Sequence, residues 1–355
     1  MDIIKDRLTK LRASMKCDAV ILASGIASRY MTDFDFSDGY VLITADDAYL
    51  LTDFRYIEAA KKAVCTEYKV LMFEGSRASQ ISSILAEAHA TALGYEDRAL
   101  TCSHLEGLKR DFPLLRFEPV GTIIDDMREY KDETELARIE AAQRIAEAAL
   151  EYTLGHITRG MTEREVALEL EYQMRKRGSE GVAFDTIAVS GTASALPHGV
   201  PRDVKLEQGF LTLDFGAVVG GYRSDMTRTV VVGSVTPEMK KVYDTVLAAQ
   251  SAALEAIECG KTGVEIDKIA RDIIDNAGYK GCFGHGLGHG VGLEIHEGPR
   301  VSKAGEKKLA PGHVVTVEPG IYLEGKFGAR IEDMVALRED GAVNLTRAPK
   351  ELIII

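Results

Sequence analysis

The segment FLTLDFGAVVGGYRSDMTRTVVV, residues 210–232, constrains the fold most strongly, because it places two aspartates in apolar β-type sequence. Its two extended runs meet at Gly220 and Gly221, a pair typical of a two-residue hairpin turn. Extending the strand pairing from that turn makes Asp214 and Asp225 diagonal neighbours on one sheet face, about 7 to 8 Å apart between backbones. Two carboxylates are therefore expected to converge from adjacent strands.

The burial of these aspartates needs a physical explanation. An ionised carboxylate inside an apolar strand is costly unless it is paired, hydrogen-bonded or bound to a metal. Two like charges on one sheet face also repel each other unless a cation lies between them. For either residue alone a strand end or a sheet edge remains an alternative, whereas the pair favours a cation site.

Two glutamates occur in a similar setting nearer the C-terminus. Glu318 and Glu332 lie inside β-rich apolar runs of HVVTVEPGIYLEGKFGARIEDMVAL, residues 313–337, with a turn region between them. Either glutamate alone is compatible with a solvent-facing strand position. The repetition of the aspartate pattern favours a shared site for all four carboxylates.

Histidines cluster in glycine-rich sequence close to these segments. A lone histidine is more often a surface residue or a satisfied core residue, but three share GHGLGHGVGLEIHE, residues 284–297, and a fourth lies in the loop ALPHG. Glycines allow the backbone to approach a ligand closely, and imidazole exchanges protons near neutral pH. The four histidines in this setting are His198, His285, His289 and His296.

The strongest candidate ligand set combines four carboxylates with one imidazole: Asp214, Asp225, Glu318, Glu332 and His289. Four negative charges balance two divalent cations, and a hydroxide bridging such a pair would be the nucleophile. Two ions can also polarise a substrate carbonyl and stabilise a tetrahedral intermediate. The oxygen-rich set favours manganese, with cobalt, iron or zinc as alternatives, over a structural zinc site.

Composition excludes several other classes of protein. The chain has 355 residues, of which 46% are hydrophobic and 28% charged, as in folded globular proteins. The net charge of -12 disfavours nucleic acid as a partner, because the long-range field repels polyanions. The N-terminus lacks the apolar core of a signal peptide, and no apolar run approaches the roughly 18 residues of a membrane span. The five scattered cysteines fit reduced thiols, which predicts a cytoplasmic protein without membrane partners.

Motifs of other enzyme classes are incomplete. His296 and Glu297 are not followed by the second histidine of an HExxH zinc motif. The residues 260–262 resemble the end of a phosphate-binding loop, but Glu255 stands where that loop requires glycine. No GxSxG sequence is present, which removes the usual argument for a serine hydrolase.

The chain is predicted to form two domains. Residues 1–125 alternate helical stretches with short β-type runs such as AVILA at 19–23, and predict a smaller mixed α/β domain. The strong helix formers of residues 132–157 open a second domain, assigned to residues 126–355. The boundary, between 120 and 131, is placed only by the start of that helix.

The motifs LDFGA, SDMTRT, GHGVGLEIHE, VEPG and RIED carry the candidate ligands in this order. They resemble the dinuclear metallopeptidase family of prolidase, aminopeptidase P and methionine aminopeptidase over about residues 130–355. The first 120 residues are similar to the N-terminal domain of prolidase and creatinase. The resemblance implies an α+β protein with a pita-bread catalytic domain, a homodimer, and hydrolysis of the bond between an N-terminal residue and a following proline.

The same resemblance implies roles for individual residues. His198 would bind substrate and assist proton transfer, and His296 would stabilise the carbonyl oxyanion. His285 would contact the substrate, and Glu318 would act as general base in addition to being a ligand. Arg300 resembles the arginine with which prolidase-like enzymes hold the free carboxylate of a dipeptide's proline, although a solvated loop charge is the alternative.

Other functions remain as alternatives on sequence grounds. Creatinase is a hydrolase of this fold that does not use the metals, and some pita-bread domains are inactive protein-binding modules. The complete ligand set argues against both. Among peptidases, the length disfavours a plain methionine aminopeptidase, and the choice between dipeptidase and aminopeptidase on longer peptides stays open.

Overall fold

The structure is a computed structural model, which describes residues 3–355. It divides into two compact units, Met1–Arg128 and Glu129–Ile355, whereas the sequence prediction placed the division after residue 125. Among the described residues, no helix combines the length and apolar character needed to cross a membrane.

The first unit consists of a mixed sheet and six helices. Its strands are β1 (Ala19–Leu22), β2 (Gly39–Thr44), β3 (Ala48–Thr52), β4 (Lys69–Met72), β5 (Ala92–Tyr95) and β6 (Arg116–Pro119). Its helices are α1 (Ile3–Ser14), α2 (Gly25–Thr32), α3 (Ile57–Ala63), α4 (Arg77–Glu87), α5 (Cys102–Asp111) and α6 (Ile123–Arg128). The strand order is β4-β3-β2-β1-β5-β6. Every residue of β1 is fully buried, as expected for a central strand covered on both faces.

The second unit contains two helix pairs and four small antiparallel sheets. Its helices are α7 (Glu133–His156), α8 (Glu163–Lys176), α9 (Pro237–Ala256) and α10 (Gly263–Ile274). Its strands are β7 (Ile187–Ser190), β8 (Gly209–Phe215), β9 (Val218–Val219), β10 (Tyr222–Arg223), β11 (Met226–Val232), β12 (Gly288–Gly290), β13 (Glu297–Val301), β14 (Val314–Val317), β15 (Gly320–Leu323), β16 (Phe327–Arg330), β17 (Asp333–Arg338) and β18 (Gly341–Asn344).

Two apolar cores organise this second unit. Helices α7 and α8 pack with the sheet β11-β8-β7, and helices α9 and α10 pack with the sheet β13-β12-β14-β17-β18. The helices begin at the sequence signals expected for them, since Asp132, Thr162 and Thr262 each form a capping box with the glutamate three residues later. The two sheets meet where Arg228 Nη2 of β11 donates to Asp333 Oδ1 of β17 at 2.8 Å.

The hairpin register predicted from the turn is confirmed. Val219 pairs with Tyr222, and Asp214 pairs with Thr227. The pairing is tight beside the aspartates, because a Cβ atom on Gly216 would lie 1.9 Å from the carbonyl oxygen of Ser224.

Within their β-rich runs, Glu318 and Glu332 lie at strand ends rather than inside the strands. Glu318 directly follows β14 and is itself followed by Pro319, which has no N–H to donate to a sheet. Glu332 directly precedes β17, and its N–H donates to the Thr227 carbonyl of the other sheet at 3.1 Å. Both glutamates therefore occupy strand ends where the two sheets come together.

Candidate active site

The two sheets of the second unit contribute candidate ligands to one place. Asp214 lies in β8 and Asp225 immediately precedes β11, both in the three-stranded sheet. His289 is the middle residue of β12, and Glu318 and Glu332 flank β14 and β17 of the five-stranded sheet. Because hydrogen bonds join the two sheets at β11, side chains from both converge.

Three of the predicted ligands form a compact group. Donor atoms of Asp225, His289 and Glu332 all lie within 4.8 Å of one another. The Nε2 atom of His289 is 3.6 Å from Asp225 Oδ2 and 3.4 Å from Glu318 Oε1, which places Glu318 beside this group. Asp214 lies close enough for its charge to raise the pKa values of the other three carboxyl groups.

The tautomer of His289 determines what its Nε2 atom can do. Its Nδ1 atom lies 3.1 Å from the Gly290 carbonyl oxygen, which can only accept, so Nδ1 carries the proton. Burial, together with the charge on His296, lowers the pKa of His289 to about 4, so the ring is neutral at pH 7. The Nε2 lone pair therefore faces carboxylate oxygens, and an arrangement of acceptors alone fits a bound cation.

Electrostatics at the carboxylates supports the same conclusion. Burial raises the pKa of Asp225 well above its usual range, and the charges of Asp214 and Glu318 raise it further. The pKa of Glu332 is also raised well above its ordinary value, by burial and then by Asp225. Burial raises the pKa of Glu318 to about 8. Divalent cations at this position would remove the repulsion and return the carboxylates to their ionised form.

Asp214 completes the test of whether the residues fit metal ions. Its Oδ2 atom accepts a hydrogen bond from Arg330 Nη2 at 2.6 Å, whereas its Oδ1 atom is buried without a hydrogen-bond partner among residues 3–355. A buried, unsatisfied carboxylate oxygen beside an acceptor-only cluster is what a cation site requires. Carboxylates and one neutral imidazole suit hard or borderline divalent ions.

A buried hydrogen-bond network next to the carboxylates was not found by sequence reasoning. Arg330 donates to the Tyr322 hydroxyl at 2.7 Å, and this hydroxyl in turn bonds to His285 Nε2 at 2.9 Å. Thr227 donates to Glu332 Oε2 at 2.7 Å. These partners are distant in sequence, since Arg330 bonds to Asp214 and Thr227 to Glu332, so no local pattern indicated the network.

The structure brings the remaining predicted residues to the same region. The rings of His289 and His296 are 4.3 Å apart between centroids. Burial lowers the pKa of His296, and the charges of His198 and Arg300 contribute, so both of these side chains are near it. The side chains of His198, His296 and Arg300 are exposed, whereas His285 is held by Tyr322 and by the Gly286 carbonyl at 2.8 Å.

A cluster of buried carboxylates and a neutral imidazole, with exposed histidines beside it, is typical of hydrolytic metal centres. Residues 137–339 match metallopeptidase family M24, and residues 6–130 match the creatinase/prolidase N-terminal domain. The chain belongs to metallopeptidase family M24. The fold class and family predicted from sequence are thereby confirmed, with an N-terminal creatinase/prolidase-like domain and a pita-bread catalytic domain.

Relatives and solved structures align along nearly the whole chain. A Xaa-Pro dipeptidase of Pyrococcus furiosus is 41% identical over 355 residues, which cover 99% of this chain and 100% of that protein. The structure of a Xaa-Pro dipeptidase from Bacillus anthracis is similar with a TM-score of 0.96 at 39% identity, covering 99% of this chain and 100% of the other. An X-Pro aminopeptidase from Thermotoga maritima has a TM-score of 0.93 at 38% identity, with coverage of 99% and 100%.

Proposed function

We propose that this protein is a dinuclear-metal peptidase that hydrolyses the bond between an N-terminal residue and a following proline. The observation that carries the proposal is the neutral His289, whose Nε2 lone pair faces the oxygens of Asp225 and Glu318. Full-length relatives named as Xaa-Pro dipeptidases support the choice of substrate. They also disfavour a creatinase-like hydrolase and an inactive binding module.

Two divalent ions, manganese before cobalt, iron or zinc, fit the donor set. The residues that would hold them are Asp214, Asp225, His289, Glu318 and Glu332. When bound, such a pair provides an activated water at neutral pH and polarises the scissile carbonyl. The protein's own contribution is a buried cluster of acceptors, which excludes bulk water and keeps charges close together.

Protein side chains around this centre have the chemistry for the proton transfers. Glu318 is proposed as general base, because its carboxylate lies beside the candidate metal group, with Oε1 3.4 Å from His289 Nε2. His198 is proposed to bind substrate and transfer a proton, and His296 to donate to the developing oxyanion. Both are exposed, and so are accessible to a peptide. His285 is proposed as a substrate contact.

The relatives carry both names, dipeptidase and aminopeptidase, at nearly equal identity. Arg300 supports the dipeptidase, because its guanidinium is exposed near His296 and its planar shape matches a carboxylate bidentately. A dipeptide presents the free carboxylate of its proline there, whereas a tripeptide presents an amide.

Replacement of Arg300 tests this assignment. Arg300→Ala should weaken kcat/KM for an Xaa-Pro dipeptide by roughly 1.5 to 3 kcal/mol, the scale of a charge-assisted hydrogen bond. An Xaa-Pro-Xaa tripeptide should lose much less. Lys303→Ala, an exposed cation two residues after the end of β13, is the matched control and should leave both unchanged. An equal loss on both peptides, or none on either, would favour an aminopeptidase.

Two further properties belong to this proposal. A homodimer is expected from the family resemblance, and analytical ultracentrifugation measures it directly. All five cysteines are free thiols, which supports a reducing cytoplasmic location.

A further inference from the structure

The segment that carries His198 has little apolar anchorage of its own. We define the His198 loop as residues 191–201, between the end of β7 and Arg202. Leu196 and Val200 are 59% and 78% exposed, and His198 between them is also exposed. Ala193 packs with Ile187 and Val189 of β7, so apolar burial anchors the start of the loop, whereas the residues around His198 depend on polar contacts.

One buried carboxylate joins the two ends of this loop. Glu163, the first residue of α8, has a fully buried side chain. Its Oε1 atom accepts from the Ser190 N–H at 2.7 Å and the Ser190 hydroxyl at 2.8 Å. Its Oε2 atom accepts from the Arg202 N–H at 2.9 Å and from Arg202 Nε at 2.8 Å. Arg202 Nη2 adds a further bond to Oε1 at 2.6 Å, so a single carboxylate closes the His198 loop.

The backbone at the start of α8 contributes to the same junction. The N–H of Glu163 donates to the Val204 carbonyl at 3.1 Å, and the N–H of Arg164 donates to the Arg202 carbonyl at 3.2 Å. The first amides of a helix have no partner within the helix, so they are available to bind a loop. These two bonds follow from the helix geometry and would remain if the Glu163 side chain were changed.

The start of α10 shows that a helix and the segment it contacts can join without such a carboxylate. Thr162 bridges to Lys205 as Thr262 bridges to Lys308, and both threonines cap their helices in the same way. At the position equivalent to Glu163, α10 begins with Gly263. Such a junction therefore also forms with glycine. The Glu163 carboxylate is an extra contact, and it is found beside the His198 loop.

The middle of the His198 loop also contacts the buried hydrogen-bond network next to the carboxylates. The Pro197 carbonyl, next to His198, accepts from Arg330 Nη1 at 3.3 Å. Ser194 accepts a hydrogen bond from the Gly328 N–H at 3.0 Å. Movement of the loop ends would therefore change the position of His198 relative to residues already bound to Asp214.

We propose that Glu163 is a positioning residue for His198, holding both ends of the His198 loop so that the imidazole reaches the substrate. The inference rests on the proposed role of His198 in proton transfer. The side-chain hydrogen bonds of Glu163 go to Ser190 and Arg202, not to His198 or a candidate metal ligand. Its effect on catalysis should therefore depend entirely on the presence of His198.

The substitution Glu163→Gln tests the proposal while conserving size. The glutamine NH2 group would face N–H or O–H donors of Ser190 or Arg202, which now bind the carboxylate. Because two donors cannot hydrogen-bond to each other, one end of the loop should detach. We expect kcat for an Xaa-Pro dipeptide to fall about 10- to 100-fold, the scale of a small misplacement of a catalytic group, with metal content unchanged. Glu165→Gln is the matched control, because the hydrogen bonds of Glu165 go to Thr162 in the capping box of the same helix. It should retain the activity of the unmodified enzyme.

A double-mutant cycle separates positioning from a general structural role. In a His198→Ala background, Glu163→Gln should change kcat by less than about 2-fold, since the group it positions is absent. Equal losses in both backgrounds, or full activity in Glu163→Gln, would overturn the inference. If Glu163→Gln fails to fold, Arg202→Gln replaces it in the same cycle, because it removes the guanidinium bonds and leaves those from Ser190. If His198→Ala alone has no effect, the proposed role of His198 is wrong, which is a separate result.

Discussion

The Nε2 atoms of His289 and His285 face different partners, and this sets what each residue can do. His289 Nε2 faces carboxylate oxygens, whereas His285 Nε2 accepts from the Tyr322 hydroxyl. Burial lowers the pKa of both imidazoles to about 4, so both are neutral at pH 7. Both ring nitrogens of His285 are hydrogen-bonded within the protein, so of these two histidines His289 has the lone pair available to a cation.

Removal of a single carboxylate should separate metal ligands from other residues. Asp225→Asn or Glu332→Ala should lose both metal occupancy and turnover, because each is assigned to the pair of ions.

His198→Ala should keep its metals and turn over about 10² to 10⁴ times more slowly, the usual range for a lost proton-transfer group. Metal content by mass spectrometry and kcat are measured on the same samples. Metal loss in His198→Ala would show that this residue is misassigned.

His313 provides a prediction about stability and pH. Its side chain is fully buried, and its Nδ1 atom accepts from the Ala310 N–H at 3.1 Å. Burial lowers its pKa to about 4, and the neighbouring charges of Lys131 and Lys307 contribute. Glu129 is the acidic group facing it, with Oε2 3.9 Å from Nε2. The unfolded chain therefore binds a proton near pH 6.5 that the folded protein does not bind until about pH 4.

The free energy of unfolding should accordingly fall as the pH is lowered from about 6.5 to about 4. His313→Asn, whose Oδ1 can replace Nδ1 as acceptor, should lose about 2 kcal/mol less than the unmodified protein between pH 6.5 and pH 4.5. Urea unfolding at each pH measures this difference, and carboxylate titrations common to both proteins cancel. Identical pH dependence in the two proteins would mean that His313 is protonated in the folded state.

At the level of secondary structure, the hairpin β8 to β11 aligns the two aspartates. A Cβ atom on Gly216 would clash with the Ser224 carbonyl oxygen at 1.9 Å, beside Asp225. Gly216→Ala should therefore separate the strands, lower the free energy of unfolding by about 2 to 3 kcal/mol and reduce metal occupancy. Gly155→Ala is the control, because a Cβ atom added there would have no neighbour within 4 Å and alanine favours the helix. Full metal occupancy in Gly216→Ala would refute the dependence on hairpin alignment.

Elements that depend on local sequence could be predicted, and the hairpin is the best example. Its register follows from two glycines and strand alternation, both of which are visible in the sequence. The positions of Glu318 and Glu332 could not be obtained in this way, because they depend on hydrogen bonds between two sheets. Arg330 and Tyr322 were missed for a related reason, since their partners are distant in sequence.

The similar way in which α8 and α10 begin was also not predicted from the sequence. Both α8 and α10 are capped helices that lie against a returning loop, through the bridges Thr162 to Lys205 and Thr262 to Lys308. The shared sequence signal is little more than a threonine followed three residues later by glutamate, which is common at helix starts. This similarity depends on backbone hydrogen bonds, which form with almost any side chain.

On the scale of the whole molecule, the second unit contains every residue proposed for the site. Within it, carboxylates that repel one another are buried where two sheets meet. This arrangement is destabilising without cations and stabilising with them, so metal binding and folding should be coupled. The relatives that align over 99% of this chain include both dipeptidases and an aminopeptidase, so their names agree on an Xaa-Pro bond and differ in the class of peptidase.

Hydrolysis before and after metal removal tests the central claim most directly. The purified protein would be depleted by prolonged chelation, its metal content verified, and its activity measured on an Xaa-Pro and an Xaa-Ala dipeptide. We expect Xaa-Pro hydrolysis to disappear on depletion and to return when manganese is restored at two ions per chain, with little cleavage of Xaa-Ala. Undiminished Xaa-Pro hydrolysis by the verified metal-free protein would contradict the account.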